Sequence, residues 1–219
     1  MTASARGLFR ATGKTARPVM ADLIDGQAVF ADAPLREKDD FYPTPPEPTR
    51  ALLKAEASRL SQFPSIWEAA CGDGAMLSEI RAAGHEAVGS DMVDRGCGGI
   101  IKSFYDFDAA LAPAIITNPP FQECNSGKWN RHALQLLDVA YMALLLPFNW
   151  PGAMSRGALW ADHPPARVYL MRWRIDFTGK GAPPMLNAWF VWDGRCKPKD
   201  TRLLMLDRSD ADLTRGMDL

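Results

Sequence analysis

Paired cysteines, histidine clusters and membrane-length apolar runs are all missing from this 219-residue chain. Its four cysteines, Cys71, Cys97, Cys124 and Cys196, are dispersed without any Cys-x-x-Cys spacing, and only three histidines accompany them. This argues against a structural zinc motif and a disulfide framework, so the expectation is no metal and thiols kept reduced in the cytoplasm. No apolar stretch approaches the ~18 residues that cross a bilayer. Even Tyr141 to Leu146 is far too short, and no membrane association is expected. Excess charge is missing too: the formal net charge is −1, which by itself gives no reason to expect a polyanionic partner.

What is present is enough apolar matter for one substantial core, with 47% hydrophobic and 23% charged residues. Residues 1–35 read as a basic arm: Arg6, Arg10, Lys14 and Arg17 fall in the first 20 residues with no acid among them, a composition that suits disorder. Gly13-Lys14-Thr15 does not make a phosphate loop, because Gly7 is one residue out of register and no strand precedes it. Residues 36–195 form the expected domain, and 196–219 a polar C-terminal tail.

Within that domain, short apolar runs alternate with helical patterns. Strands are expected at 66–71, 87–91, 100–104, 114–118, 143–147, 168–173 and 189–193, and helices at 49–60, 76–83 and 130–139. Such alternation predicts an α/β fold, a mostly parallel seven-stranded sheet with helices on both faces.

Two places carry chemistry. The run Ala114-Ile115-Ile116-Thr117 is stopped by Asn118-Pro119-Pro120-Phe121. A double proline at the carboxyl end of a buried strand makes a rigid turn presenting one amide, one proline carbonyl with no ladder partner, and one aromatic face. That set suits a planar amine: two oxygens accept its two N–H bonds and the ring stacks. The second place is Glu68-Ala69-Ala70-Cys71-Gly72-Asp73-Gly74, where a strand meets a glycine turn and a helix, the mononucleotide-binding unit of an open α/β sheet. Asp91 ends the next strand, where a carboxylate is expected to hold ribose hydroxyls, with Met92 beside it. The dinucleotide fingerprint needs a third glycine three residues after Gly74, and Leu77 stands there, so NAD is disfavoured. A phosphate-free, cationic cofactor fits the acids Glu68 and Asp73 better.

On these residues the chain resembles the S-adenosylmethionine-dependent amino-methyltransferases, and within them the phage-type DNA N6-adenine enzymes. The resemblance implies a Rossmann-like methyltransferase fold whose last strand is antiparallel. It implies S-adenosyl-L-methionine as cofactor and Asn118, Pro119, Pro120 and Phe121 as the catalytic set. Glu68, Cys71, Gly72, Asp73, Gly74, Asp91 and Met92 are then cofactor residues. Asp106-Phe107 resembles the element that accepts from the cofactor's adenine amine, with Asp108 a competing candidate. Phe41-Tyr42-Pro43-Thr44-Pro45 resembles the element over its methionine end, giving roles to Tyr42 and Thr44. Ala69 departs from the family pattern, which has proline in many relatives.

The substrate implied is adenine in DNA, flipped out or already single-stranded, with Phe121, Trp150, Lys128 and Arg131 as its contacts. Residues 124–199 carry ten basic and four acidic residues, a basic block including Arg156, Arg167, Arg172 and Arg174 that would favour phosphate. Only Gln122 to Lys128 and Asn149 to Pro165 are free to recognise a sequence, so a short or loosely specified site follows. Likeness to phage enzymes implies action in a host cytoplasm. Oligomeric state stays open. So do methylation of another planar amine, in RNA, cytosine N4 or protein glutamine, and a non-catalytic binding role.

Overall fold

The computed structural model of the chain describes residues 43–179, 181, 185–196 and 199–212, all within one compact unit, Asp39–Leu219. The basic arm 1–35 and Tyr42 lie outside the described residues. The strands are β1 (Ile66–Glu68), β2 (Ala87–Asp91), β3 (Ile100–Ile101), β4 (Ala114–Thr117), β5 (Tyr141–Pro147), β6 (Arg167–Met171), β7 (Asn187–Asp193) and β8 (Arg202–Leu206). They form one sheet in the order β3-β2-β1-β4-β5-β7-β6-β8. Only β7 runs against its neighbours: it is antiparallel to β5 and β6, while β8 pairs parallel with β6.

This differs from the expected seven strands ending in an antiparallel one. The antiparallel strand is present, but Arg202–Leu206, in the stretch read as a polar tail, adds an eighth after it. The reason is its edge position. Leu203 and Met205 stay exposed while Leu204 and Leu206 join the core, so burial alternates where the sequence, four successive apolar residues between Arg202 and Asp207, does not.

Central strands are buried on both faces, as a sheet covered by helices requires. Along β5, Tyr141, Ala143 and Leu145 enter one core with Ile66, Ile116 and Trp189. The alternate residues Met142, Leu144 and Leu146 enter the other with Trp67, Ile115 and Phe190. Helix α1 (Pro46–Ala55) covers the first face, its opening turn preset by proline; it breaks at Glu56 and resumes as α2 (Ala57–Leu60). Helix α3 (Ala75–Ala82) lies on the same face through Met76 and Ile80. On the second face, α4 (Phe121–Asn125), α5 (Lys128–Arg131), a π turn (His132–Leu136) and α6 (Gly157–Asp162) bring in Cys124, Trp129, Ala133 and Leu159.

Register fixes the two ends of the sheet. Ile66 is level with Ala114, and Ala114 with Tyr141, so Glu68, Thr117 and Pro147 mark the carboxyl ends of the parallel strands. Because β7 is reversed, its first residue, Asn187, lies beside Pro147 at that end, and Asp193 lies beside Tyr141 at the other. Among the described residues, no helix is long and apolar enough to cross a membrane.

Candidate active site at the carboxyl ends of the strands

β1 ends early, at Glu68, because the chain must leave the sheet to make the turn at 72–74. Gly72 and Gly74 have φ of 52° and 85°, and a Cβ on Gly74 would come within 2.8 Å of the Cys97 Cβ. Glycine is required there both for backbone sign and for space. The turn is sewn to the end of β2: the Cys71 N–H donates to the Ser90 carbonyl at 3.0 Å, and the Gly72 N–H to Asp91 Oδ2 at 2.8 Å. Asp91 Oδ1 accepts from the Val93 N–H at 3.0 Å and from Arg95 Nη1 at 3.2 Å. A carboxylate offers about four acceptor positions, so one remains for a ribose hydroxyl unless Arg95 yields.

Glu68 is 1% exposed, and its Oε1 accepts from the Thr117 hydroxyl at 2.6 Å. Burial is the main cause that pushes its carboxyl up to about 8; the Thr117 and Ala70 bonds oppose this, and the charges of Asp91 and Asp73 add to it. Three acids thus share one neighbourhood, and Glu68, raised to about 8, favours its protonated form at neutral pH. A positively charged ligand supplies what that set lacks. Asp73 itself is exposed and accepts from the Ala75 N–H at 3.1 Å.

β4 hands the chain to Asn118, whose Nδ2 donates to the Thr44 hydroxyl at 3.1 Å while Oδ1 is buried with no hydrogen-bond partner among the described residues. An unpaired acceptor in that position costs about 1–3 kcal/mol. Pro119 is buried, Pro120 exposed, and Phe121 is half-buried as the first residue of α4, packed against the second core. Thr44, expected over a cofactor, is therefore also the group that fixes the Asn118 amide.

Other expected residues fall elsewhere. Trp150 is 3% exposed, its indole N–H donates to the Cys124 carbonyl at 3.2 Å, and its ring lies edge-on to Phe190 at 5.3 Å. It is a core group, with no face left for a base. Phe107 is buried, edge-on to Trp67 at 5.0 Å, with the Lys102 ammonium 4.5 Å over its ring; Asp106 and Met92 are exposed. Arg131 pairs with Asp162 at 3.2 Å, and the Lys128 ammonium sits 4.0 Å over Tyr105. The basic block does not form one face: Arg167 binds Glu56 and Asp193 at the opposite end of the sheet, and Arg172 pairs with Asp207 at 2.7 Å. Nor are the two expected recognition segments loose loops. Each contains a short helix, and Arg156 joins them by donating to Asn125 Oδ1 and to the Trp150 carbonyl.

Thr117 and Asn187 were not expected in the site. Thr117 could have been found, since a hydroxyl closing an apolar strand needs a partner. Asn187 is 1% exposed with both amide atoms unpartnered, and its signal was only one polar residue ahead of a buried run.

No protein-family model matches the sequence, and a search of curated proteins returns no match. Among solved structures the chain is similar to a protein assigned as a class I S-adenosylmethionine-dependent methyltransferase from Listeria monocytogenes. That pair shares 14% identity and a TM-score of 0.52 over 78% of this chain and 67% of the other. It is also similar to a protein assigned as an RNA methyltransferase from Pyrococcus horikoshii, at 12% identity and a TM-score of 0.54 over 69% and 86%. The fold is thus the α/β Rossmann-like fold of class I methyltransferases.

Proposed function

We propose that this chain transfers a methyl group from S-adenosyl-L-methionine to the exocyclic N6 amine of adenine in DNA, at a short or loosely specified site. The observation that carries the reading is the buried Asn118 Oδ1 without a partner, held at a strand end by Thr44 and followed by Pro119, Pro120 and Phe121. An aromatic amine has its lone pair delocalised into the ring and is a poor nucleophile while planar. Asn118 Oδ1 accepts one N–H and the Pro119 carbonyl the other, drawing the nitrogen toward a tetrahedral, nucleophilic geometry. Phe121 stacks on the base, worth roughly 1–3 kcal/mol against the cost of flipping it out.

The acid set fits the cofactor. Glu68 would offer a carboxyl to its cationic end, and Asp91, bonded to the turn at 72–74, would hold the ribose. When bound, S-adenosylmethionine supplies a methyl group on a sulfonium, an electrophile that needs no protein base. The residues here contribute alignment and hydrogen bonds that strengthen as the amine gains positive charge. The amine's surplus proton leaves to solvent, since among the described residues no hydrogen bond joins Asn118 to a carboxylate or a histidine.

The test is incubation with labelled S-adenosylmethionine and, separately, single-stranded DNA, duplex DNA, RNA and cell protein, followed by nucleoside analysis. N6-methyladenine in the DNA arms is expected. Label in RNA, on cytosine or in protein would overturn the substrate, and no label despite cofactor binding would overturn the activity.

A further inference from the structure

Cys71 and Cys97 are 26 positions apart in sequence, yet their sulfurs stand 3.1 Å apart as free thiols. Three glycines leave the space they occupy. A Cβ on Gly99 would lie 2.8 Å from Cys71 Sγ and 3.2 Å from Cys97 Sγ, one on Gly89 3.1 Å from Cys71 Sγ, and one on Gly74 2.8 Å from Cys97 Cβ. Cys71 is anchored, its N–H on the Ser90 carbonyl at 3.0 Å and its own carbonyl accepting from the Gly74 N–H at 2.8 Å. Cys97 lies in the connection between β2 and β3, flanked by Gly96 and Gly98, around whose Cβ positions nothing comes within 4 Å. One partner is fixed and the other has room to move.

We propose that Cys71 and Cys97 are a reversible modification site, closed to a disulfide by hydrogen peroxide and reopened by a dithiol, and that closure weakens cofactor binding at the adjoining turn. The coupling rests on the cofactor reading above. Cys97 is only half-buried and is the first to react. Its sulfur takes one peroxide oxygen as the O–O bond breaks, giving a sulfenic acid and one water. The Cys71 sulfur then attacks the Cys97 sulfur: the S–S bond forms, the S–O bond breaks, and the hydroxyl leaves with the Cys71 proton as a second water. Two thiols are oxidised and one peroxide is reduced.

Closure brings the sulfurs to about 2.05 Å. Since Cys71 is held, residues 92–99 do the moving, toward Cys71 and the turn that follows it. They carry Val93 and Arg95, which donate to the Asp91 carboxylate. The turn is crowded and the ribose carboxylate loses its present arrangement. Reciprocity requires that bound cofactor disfavour the disulfide by the same factor.

The full chain is treated with hydrogen peroxide, alkylated and peptide-mapped, and S-adenosylmethionine affinity is measured by calorimetry on the reduced, oxidised and re-reduced forms and on Cys97→Ser. The expected result is a Cys71–Cys97 cross-linked peptide, about tenfold weaker binding that dithiothreitol restores, and no oxidant effect in Cys97→Ser. Oxidation confined to the exposed Cys196, or a sulfinic acid on Cys97 without cross-linking, overturns the site. A disulfide with unchanged affinity overturns the coupling. Failure of the reduced protein to bind cofactor overturns the cofactor reading and the coupling with it, and the peptide map tells that apart from failure of the thiol pair.

Discussion

At the amino ends of the parallel strands the buried charges are paired with one another, whereas at the carboxyl ends buried polar groups are left short of partners. At the first end Glu56 accepts two bonds from Arg167 at 2.7 Å and one from the Tyr169 hydroxyl at 2.5 Å. Asp193 accepts from Arg59 at 2.9 Å and from Arg167 at 3.2 Å; burial raises its carboxyl, but the two guanidiniums outweigh that and hold it below the ordinary value. At the other end burial pushes the Glu68 carboxyl up to about 8, and Asn118 Oδ1 and the Asn187 amide have no partner among the described residues. The first arrangement fixes where α1 and α2 meet β6 and β7, because a buried ion left alone is costly. The second is unfavourable by itself, and such groups persist where a ligand completes them. The ion pairs thus gather at one end of the sheet, where the Tyr141 hydroxyl is also without a hydrogen-bond partner among the described residues, and the candidate site lies at the other.

The sharpest way to break that comparison is at the paired end. Arg167→Met leaves Glu56 and Asp193 facing a lost guanidinium, and the expected destabilisation is about 3–5 kcal/mol by urea unfolding. Adding Glu56→Gln should recover part of it, because the orphaned charge goes too. The turnover of the fraction that remains folded should not change. A variant that unfolds normally but fails to turn over would mean that the two ends are coupled.

At the other end the signs reverse. Asn118→Ala should lower methyl transfer about a hundredfold to a thousandfold, the size of losing one preorganised group at a reacting centre. Its stability should be unchanged or slightly higher, since the unpaired acceptor disappears, and calorimetry should find cofactor affinity intact. Equal loss of cofactor binding would make Asn118 a structural turn residue. Thr44→Val, which removes only the bond that orients the Asn118 amide, should cost about 1 kcal/mol of transition-state stabilisation, roughly fivefold in kcat. A full loss would place Thr44 in direct contact with a ligand.

The candidate site was the more legible of the two ends in the sequence. Asn118-Pro119-Pro120-Phe121, Gly72-Asp73-Gly74 and Asp91 stand out because turn chemistry is local: proline and glycine mark where strands end, and the candidate site residues follow within a few positions. Ion pairs such as Glu56 with Arg167 join residues 111 positions apart and leave no local pattern. The same holds for Cys71 beside Cys97. Trp150 shows the limit from the other side. An aromatic near a motif can serve a ligand or a core, and only the tertiary neighbours Cys124 and Phe190 decide it. Strand β8 escapes a sequence reading because its four apolar residues, Leu203 to Leu206, do not alternate with polar ones and stand between Arg202 and Asp207 in a polar stretch.

Glu68 separates the two ends by pH. Its carboxyl, ordinarily near 4.5, is raised to about 8 in the folded chain by burial above all. Between those values the folded state keeps a proton that the unfolded chain has released. The group's contribution to stability is therefore fully present below pH 4.5 and is lost as the pH climbs through about 8. Glu68→Gln, which mimics the protonated form, should match the wild type below about pH 4.5 and gain on it steadily from there to about pH 8. A cation bound nearby favours the carboxylate, so cofactor binding at neutral pH should release a proton and tighten as the pH rises toward 8. Calorimetry in two buffers of different protonation heat measures that release, and the Gln variant should show none of it. A wild-type affinity that ignores pH would make Glu68 a buried acid serving only Thr117, and the carboxyl end of the sheet would lose its partner for positive charge.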